Sequence, residues 1–92
     1  MNVLFFARLR EALGADSLEL ADAALPETVA ELRNAVIERA QTVAADARQL
    51  PEFVQAMRDP NVLCAVNRRV AHEQQRIGAR DEIAFYPPVT GG

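Results

Sequence analysis

Apolar and polar positions change period several times along this chain, and each change predicts an element. From Asn2 to Arg10 strand-forming residues dominate, with Val3, Phe5 and Ala7 on one parity and Leu4, Phe6 and Arg8 on the other, which predicts a strand at least partly covered on both faces. Gly14-Ala15-Asp16 punctuates a turn, and Ser17 to Ala21 then alternates as a half-buried strand does. Two strands so close in sequence predict an antiparallel pair. Thr28 and Glu31 stand at capping-box spacing and start a helix. Behind them Val29, Leu32, Val36, Ala40, Val43 and Ala47 recur at steps of three and four, an apolar stripe that Pro51 is expected to end. Glu52 to Met57 reads as a short second helix burying Phe53, Val54 and Met57, before Asp59-Pro60-Asn61 breaks the chain. Val62 to Val66 is an apolar strand, Asn67-Arg68 a turn, and Val70-Ala71 the returning arm of a hairpin. Glu82 to Tyr86 is the last strand, because Pro87 and Pro88 lack the N–H that would continue a ladder.

Strand, strand, helix, strand, strand, strand is the order of an α+β domain: a mixed sheet of about five strands with one main helix across one face. The ubiquitin-like β-grasp has this order. The expected organisation is a folded domain over residues 1–86 and a flexible, projecting tail over 87–92.

Ninety-two residues allow one core and no second domain. A net charge of -3 gives no cationic footprint for nucleic acid, and the apolar start MNVLFF is too short for a membrane span and lacks a signal peptide's leader. The expected location is cytoplasmic. A single cysteine, Cys64, excludes an internal disulfide, and a single His72 leaves no set of zinc ligands. All ten basic residues are arginine; there is no lysine.

The chemistry that stands out is at the end, where Gly91-Gly92 follows Pro87-Pro88-Val89-Thr90. A proline pair favours extended chain, about 3.1 Å per residue, so six residues beyond Tyr86 would carry a carboxylate about 18 Å, into another protein's pocket. Glycine passes a narrow channel and leaves its carbonyl carbon without steric cover. Such a carboxylate must be activated before it transfers anything, most simply as an acyl-adenylate made from ATP. A frayed terminus is the competing reading, and the glycines alone do not decide between them.

Three stretches do: Val3 to Ala7 followed by Leu9-Arg10-Glu11, then Leu63 to Asn67 (LCAVN), and above all Asp81 to Gly92 (DEIAFYPPVTGG). Together they closely resemble the small, sulfur-carrying subunits of molybdopterin synthases. The resemblance implies that Gly92, preceded by Gly91, is adenylated by a ubiquitin-activating-like enzyme using ATP and converted to a thiocarboxylate. It implies a large synthase subunit as partner in a heterotetramer, with sulfur passed to cyclic pyranopterin monophosphate to build a dithiolene. It places Phe6, Val70, Tyr86, Pro87, Pro88, Val89 and Thr90 on the partner-facing side, and it implies no bound cofactor and no catalytic side chain. Arg80 stands where the family usually has Gly, with Gly78 two positions earlier, and the segment from Ala47 to Pro60 is longer than usual.

Cys64 lies in an apolar strand with no activating neighbour in sequence and reads as packing rather than as a nucleophile. His72 reads as an exposed strand-end residue, and Arg68-Arg69 as a solvated turn. Three other functions share features with this one: a carrier for thiazole, cysteine or tRNA thiolation, a modifier forming isopeptide bonds, and a non-covalent adaptor whose terminus is dispensable. The lead-in from Ala84 to Thr90 favours the molybdopterin reading over the other carriers.

Overall fold

The computed structural model describes residues 1–21 and 25–88. Eight elements follow one another: β1 (Asn2–Phe5), α1 (Arg8–Leu13), β2 (Ser17–Glu19), α2 (Val29–Val43), α3 (Leu50–Arg58), β3 (Leu63–Val66), β4 (Arg69–Ala71) and β5 (Ile83–Tyr86). The five strands form one sheet in the order β2-β1-β5-β3-β4. The β1–β5 pair is parallel and the others antiparallel, so the last strand lies in the middle, between the first and the third. This is the mixed five-stranded α+β sheet that the element order predicts.

The first strand is shorter than its composition suggests. It stops at Phe5, Ala7 takes a positive φ of 54°, and the chain turns into α1, which buries Leu9, Ala12 and Leu13. Those three positions have helical spacing, i, i+3, i+4, and burying them against α3 outweighs the strand propensity of the preceding run. Ala7 and Arg8 therefore do not belong to the strand. Gly14 ends α1 in the left-handed conformation, its N–H donating to the Arg10 carbonyl at 2.9 Å.

The capping box forms as predicted. The Glu31 N–H donates to Thr28 Oγ1 at 3.3 Å and the Thr28 N–H to Glu31 Oε2 at 3.1 Å. Two further N–H groups at this end, those of Val29 and Ala30, donate to the carbonyls of Gln75 and Glu73, which ties the 72–77 connection to the start of α2. The stripe ends sooner than predicted. Val43, half exposed, is the last residue of α2, and Ala47 lies beyond it. Pro51 does not terminate this stripe; it lies in the first turn of α3, where its missing N–H costs nothing. The short second helix is accordingly longer than expected, and it buries Phe53 and Met57, with Val54 only partly covered.

One face of the sheet carries the core. Val3, Phe5, Leu18, Cys64, Val66, Ile83 and Phe85 all point to it and meet Leu32, Val36, Ala40, Phe53 and Met57 from the helices. Phe5 sits at the centre, edge-on to Phe53 at 5.2 Å between ring centroids and stacked on Phe85 at 6.1 Å.

Arg33, which the sequence reading passes over, is buried within this core at 8% exposure. Its guanidinium grips Glu73 through two bonds, at 2.8 and 3.0 Å, and also donates to the carbonyls of Met57, Asp59 and Val62. Its central carbon, Cζ, lies over the Phe85 ring, 5.3 Å from the centroid. One side chain thus joins α2, the end of α3, the approach to β3 and the 72–77 connection.

Candidate functional site

The alternation that sends Phe5 and Phe85 inward sends their neighbours outward, and among the described residues no helix covers that side. Ladder register brings Val70, Ala65, Ala84, Leu4 and Ser17 into one row across all five strands. A second pair, Leu63 opposite Tyr86, lies one step along. Phe6 continues the β1–β5 ladder beyond the strand proper, its N–H donating to the Phe85 carbonyl at 3.1 Å. The result is an open, largely apolar face on which Val70 is 65% exposed and Phe6 47%.

Its middle is a shallow depression of about 530 Å³, lined by Phe6, Ala65, Ala84 and Tyr86, with Arg68 and Glu82 on the rim. The two alanines make the hollow: each is a small side chain on a central strand, flanked by larger ones. An aromatic or aliphatic side chain of another molecule would fit between Phe6 and Tyr86. Arg68 and Glu82 form an exposed ion pair at 3.6 Å, which steers rather than holds.

The hairpin that frames this face is set by Asn67 and Arg68, both in the left-handed region at φ 53° and 68°, as a two-residue connection requires. Asn67 also clamps the start of β5: it donates through Nδ2 to Asp81 Oδ1 at 3.0 Å and accepts the Glu82 N–H at 2.9 Å. Asp81 in turn accepts the Gly78 N–H at 2.8 Å, closing the turn around the exposed Arg80. The Arg80 departure is thereby absorbed in a turn held by Asp81, away from the apolar row.

Of the residues predicted to face a partner, Phe6 and Tyr86 line the same depression, and Val70 lies in the same row as its alanine floor. Pro87, half-buried, and Pro88, exposed, follow β5 directly. Val89, Thr90, Gly91 and Gly92 lie outside the described residues. The sequence reading missed Leu4, Leu63, Ala65 and Ala84, though their parity relative to Phe5, Cys64 and Phe85 carried the signal.

Cys64 is 1% exposed and faces the core between Ala71 and Phe85. Burial pushes its thiol up to about 12, against a smaller opposing pull from the Arg33 charge. The folded state therefore keeps this proton while the unfolded chain, with an ordinary thiol near 9.0, loses it, so stability falls as pH rises from about 9 towards 12. Wild type should lose stability more steeply over that window than Cys64→Ala, by at most ~1.4 kcal/mol per pH unit. Urea melts of both at several pH values measure this; parallel slopes would refute the burial argument. His72 is exposed and follows β4 directly. Among the described residues no cluster of His, Cys, Asp or Glu could hold a metal ion, and no helix is long and apolar enough to cross a membrane.

The chain is 40% identical over its whole length to the molybdopterin synthase sulfur carrier subunit of Escherichia coli, covering 99% of that protein, and 34% identical to the one from Haemophilus influenzae, again covering 99%. Among solved structures it resembles SAMP1 from Haloferax volcanii (TM-score 0.68, 24% identity, covering 100% of this chain and 98% of that one), a likeness of fold alone. It also resembles a putative molybdopterin converting factor, subunit 1, from Pyrococcus furiosus (TM-score 0.58, 26% identity, covering 96% and 95%). The architecture is the ubiquitin-like β-grasp of those neighbours. Residues 3–92, from the first strand to the final glycine, match one family model throughout, and the chain belongs to the ThiS family.

Proposed function

We propose that this protein is the sulfur carrier subunit of a molybdopterin synthase, acting through Gly92 rather than through a side chain. The observation that carries the reading is continuity: the apolar open face and the tail share β5, so a partner seated over Phe6 and Tyr86 would receive whatever follows Pro87-Pro88. In the reaction, a Gly92 carboxylate oxygen attacks the α-phosphorus of ATP on a ubiquitin-activating-like enzyme and pyrophosphate leaves. A sulfur nucleophile then displaces AMP, leaving a thiocarboxylate. Its sulfur is passed to cyclic pyranopterin monophosphate in the large subunit's site, and hydrolysis returns the carboxylate. The carrier binds no cofactor of its own, contributes no catalytic side chain, works in the cytoplasm and joins the large subunit in a heterotetramer.

Intact-mass measurement after incubation with ATP, the activating enzyme and a sulfur donor tests the reading; a mass gain other than replacement of one oxygen by sulfur would reject it. Docking is tested separately by Phe6→Arg. A charge placed where an aromatic anchor is desolvated should cost about 2 kcal/mol, roughly 30-fold in large-subunit affinity, while thiocarboxylate formation persists. Excess large subunit should restore part of the rate. Unfolding of this variant in a thermal melt would show instead that Phe6 belongs to the core.

A further inference from the structure

An acyl-adenylate is consumed by the first competent nucleophile it meets, and neutral amines are the most dangerous, because the amide they form does not revert. The sequence has no lysine, and its ten arginines carry guanidinium groups that stay protonated and attack poorly. The one aliphatic amine in the sequence is the Met1 α-amino group. It is not presented to solvent: Met1 is 5% exposed, its ammonium donates to Glu19 Oε2 at 3.2 Å and to the Leu20 carbonyl at 3.0 Å, and the Leu20 N–H donates back to the Met1 carbonyl at 2.8 Å. To attack, the amine would have to lose its proton, its ion pair and its place beside β2.

We propose that the folded chain is an acyl donor that presents no amine acceptor of its own, so that its activated terminus is not lost as an amide to itself or to a second copy. The inference rests on the reading that Gly92 is adenylated. The excluded step is explicit: an amine nitrogen attacks the adenylate's carbonyl carbon, a C–N bond forms, the C–O bond to AMP breaks, AMP leaves with the electron pair and the amine's proton passes to water. Other nucleophiles do not open this route. Cys64 is 1% exposed in the core, and an acyl group caught by the exposed His72 would hydrolyse back to the free acid. Arginine-biased composition alone would explain the missing lysines but not the enclosure of Met1. The two features have separate origins and one effect.

Two measurements test it. In the first, the native chain is treated with an acetylating succinimidyl ester at neutral pH, folded and in urea, and Met1 acetylation is followed by mass. The folded chain should label about tenfold more slowly, the protection expected of an ion pair and a hydrogen bond together; equal rates would overturn the proposal. In the second, native, Arg68→Lys and Arg80→Lys chains are incubated with the activating enzyme and ATP without a sulfur donor. Both variants are exposed and charge-conserving. They should accumulate cyclised or dimeric species lighter by one water, which the native chain should not form. Amide product in the native chain, or none in either variant once adenylation is confirmed by pyrophosphate release, would overturn the proposal. Absence of pyrophosphate release in all three chains would instead sink the underlying reading, and the proposal with it, while the labelling result would still report on Met1.

Discussion

Deletion of Gly92 is expected to abolish sulfur transfer completely while leaving the domain's stability within about 0.5 kcal/mol of wild type. The buried core runs from Met1 to Phe85 among the described residues, and the open face is built from Leu4, Phe6, Leu63, Ala65, Val70, Ala84 and Tyr86. What is lost is the reacting carbon. The shortened chain should still bind the large subunit with little loss, and it should give no product however much of that subunit is added. Phe6→Arg should do the reverse, forming a thiocarboxylate yet losing product until mass action offsets weaker docking. Calorimetric affinity and product fluorescence, measured on both variants, separate the two; full activity from a chain ending at Gly91 would remove the proposed mechanism.

The second large effect concerns Arg33. Arg33→Ala withdraws donors from the carbonyls of Met57, Asp59 and Val62 and leaves Glu73 without its bidentate partner. Glu73 is partly exposed and can rehydrate, so the cost comes mainly from the carbonyls, each worth about 1–3 kcal/mol when orphaned. A total of about 3 kcal/mol or more is expected, which in a domain of this size lowers Tm by roughly 12–24 °C. Arg33→Lys should recover only part, because an ammonium cannot span the same set of acceptors as a planar fork. Thermal melts of the three proteins measure it. A loss below about 1 kcal/mol for Arg33→Ala would mean that water replaces the guanidinium, and that this contact is not what joins the helices to the sheet edge.

Arg33 also illustrates where a sequence stops being readable. It occupies an ideal inward position on α2, four residues after Val29 and four before Ile37, yet a charged side chain on an apolar stripe looks like an interruption until its acceptors are known. Those acceptors come from residues 57–73, and no local pattern links them to position 33. Local chemistry was more legible. The Thr28–Glu31 box and the Asn67-Arg68 turn follow from side-chain reach and backbone preference, which act within four residues. The β1–α1 boundary failed because strand propensity at Val3 to Phe6 was extended across Ala7, whose positive φ no alanine announces. The site shows the same division. The family resemblance placed Phe6 and Tyr86 on the partner-facing side, but the hollow between them exists because Ala65 and Ala84 are adjacent in register, a fact of pairing between strands.

The position of β5 has a mechanical consequence. Ile83, Ala84 and Phe85 pair on both sides, parallel to β1 and antiparallel to β3, and Tyr86 pairs with β3. A force applied along the polypeptide beyond Pro87 would load both ladders in shear, with their bonds sharing the strain, whereas a strand at the sheet's rim would peel away one bond at a time. Resistance to pulling is governed by the unfolding barrier rather than by equilibrium stability. An enzyme could therefore draw the end of this protein into a deep channel, and a large complex could tug on it during release, without unzipping the domain to which it is attached.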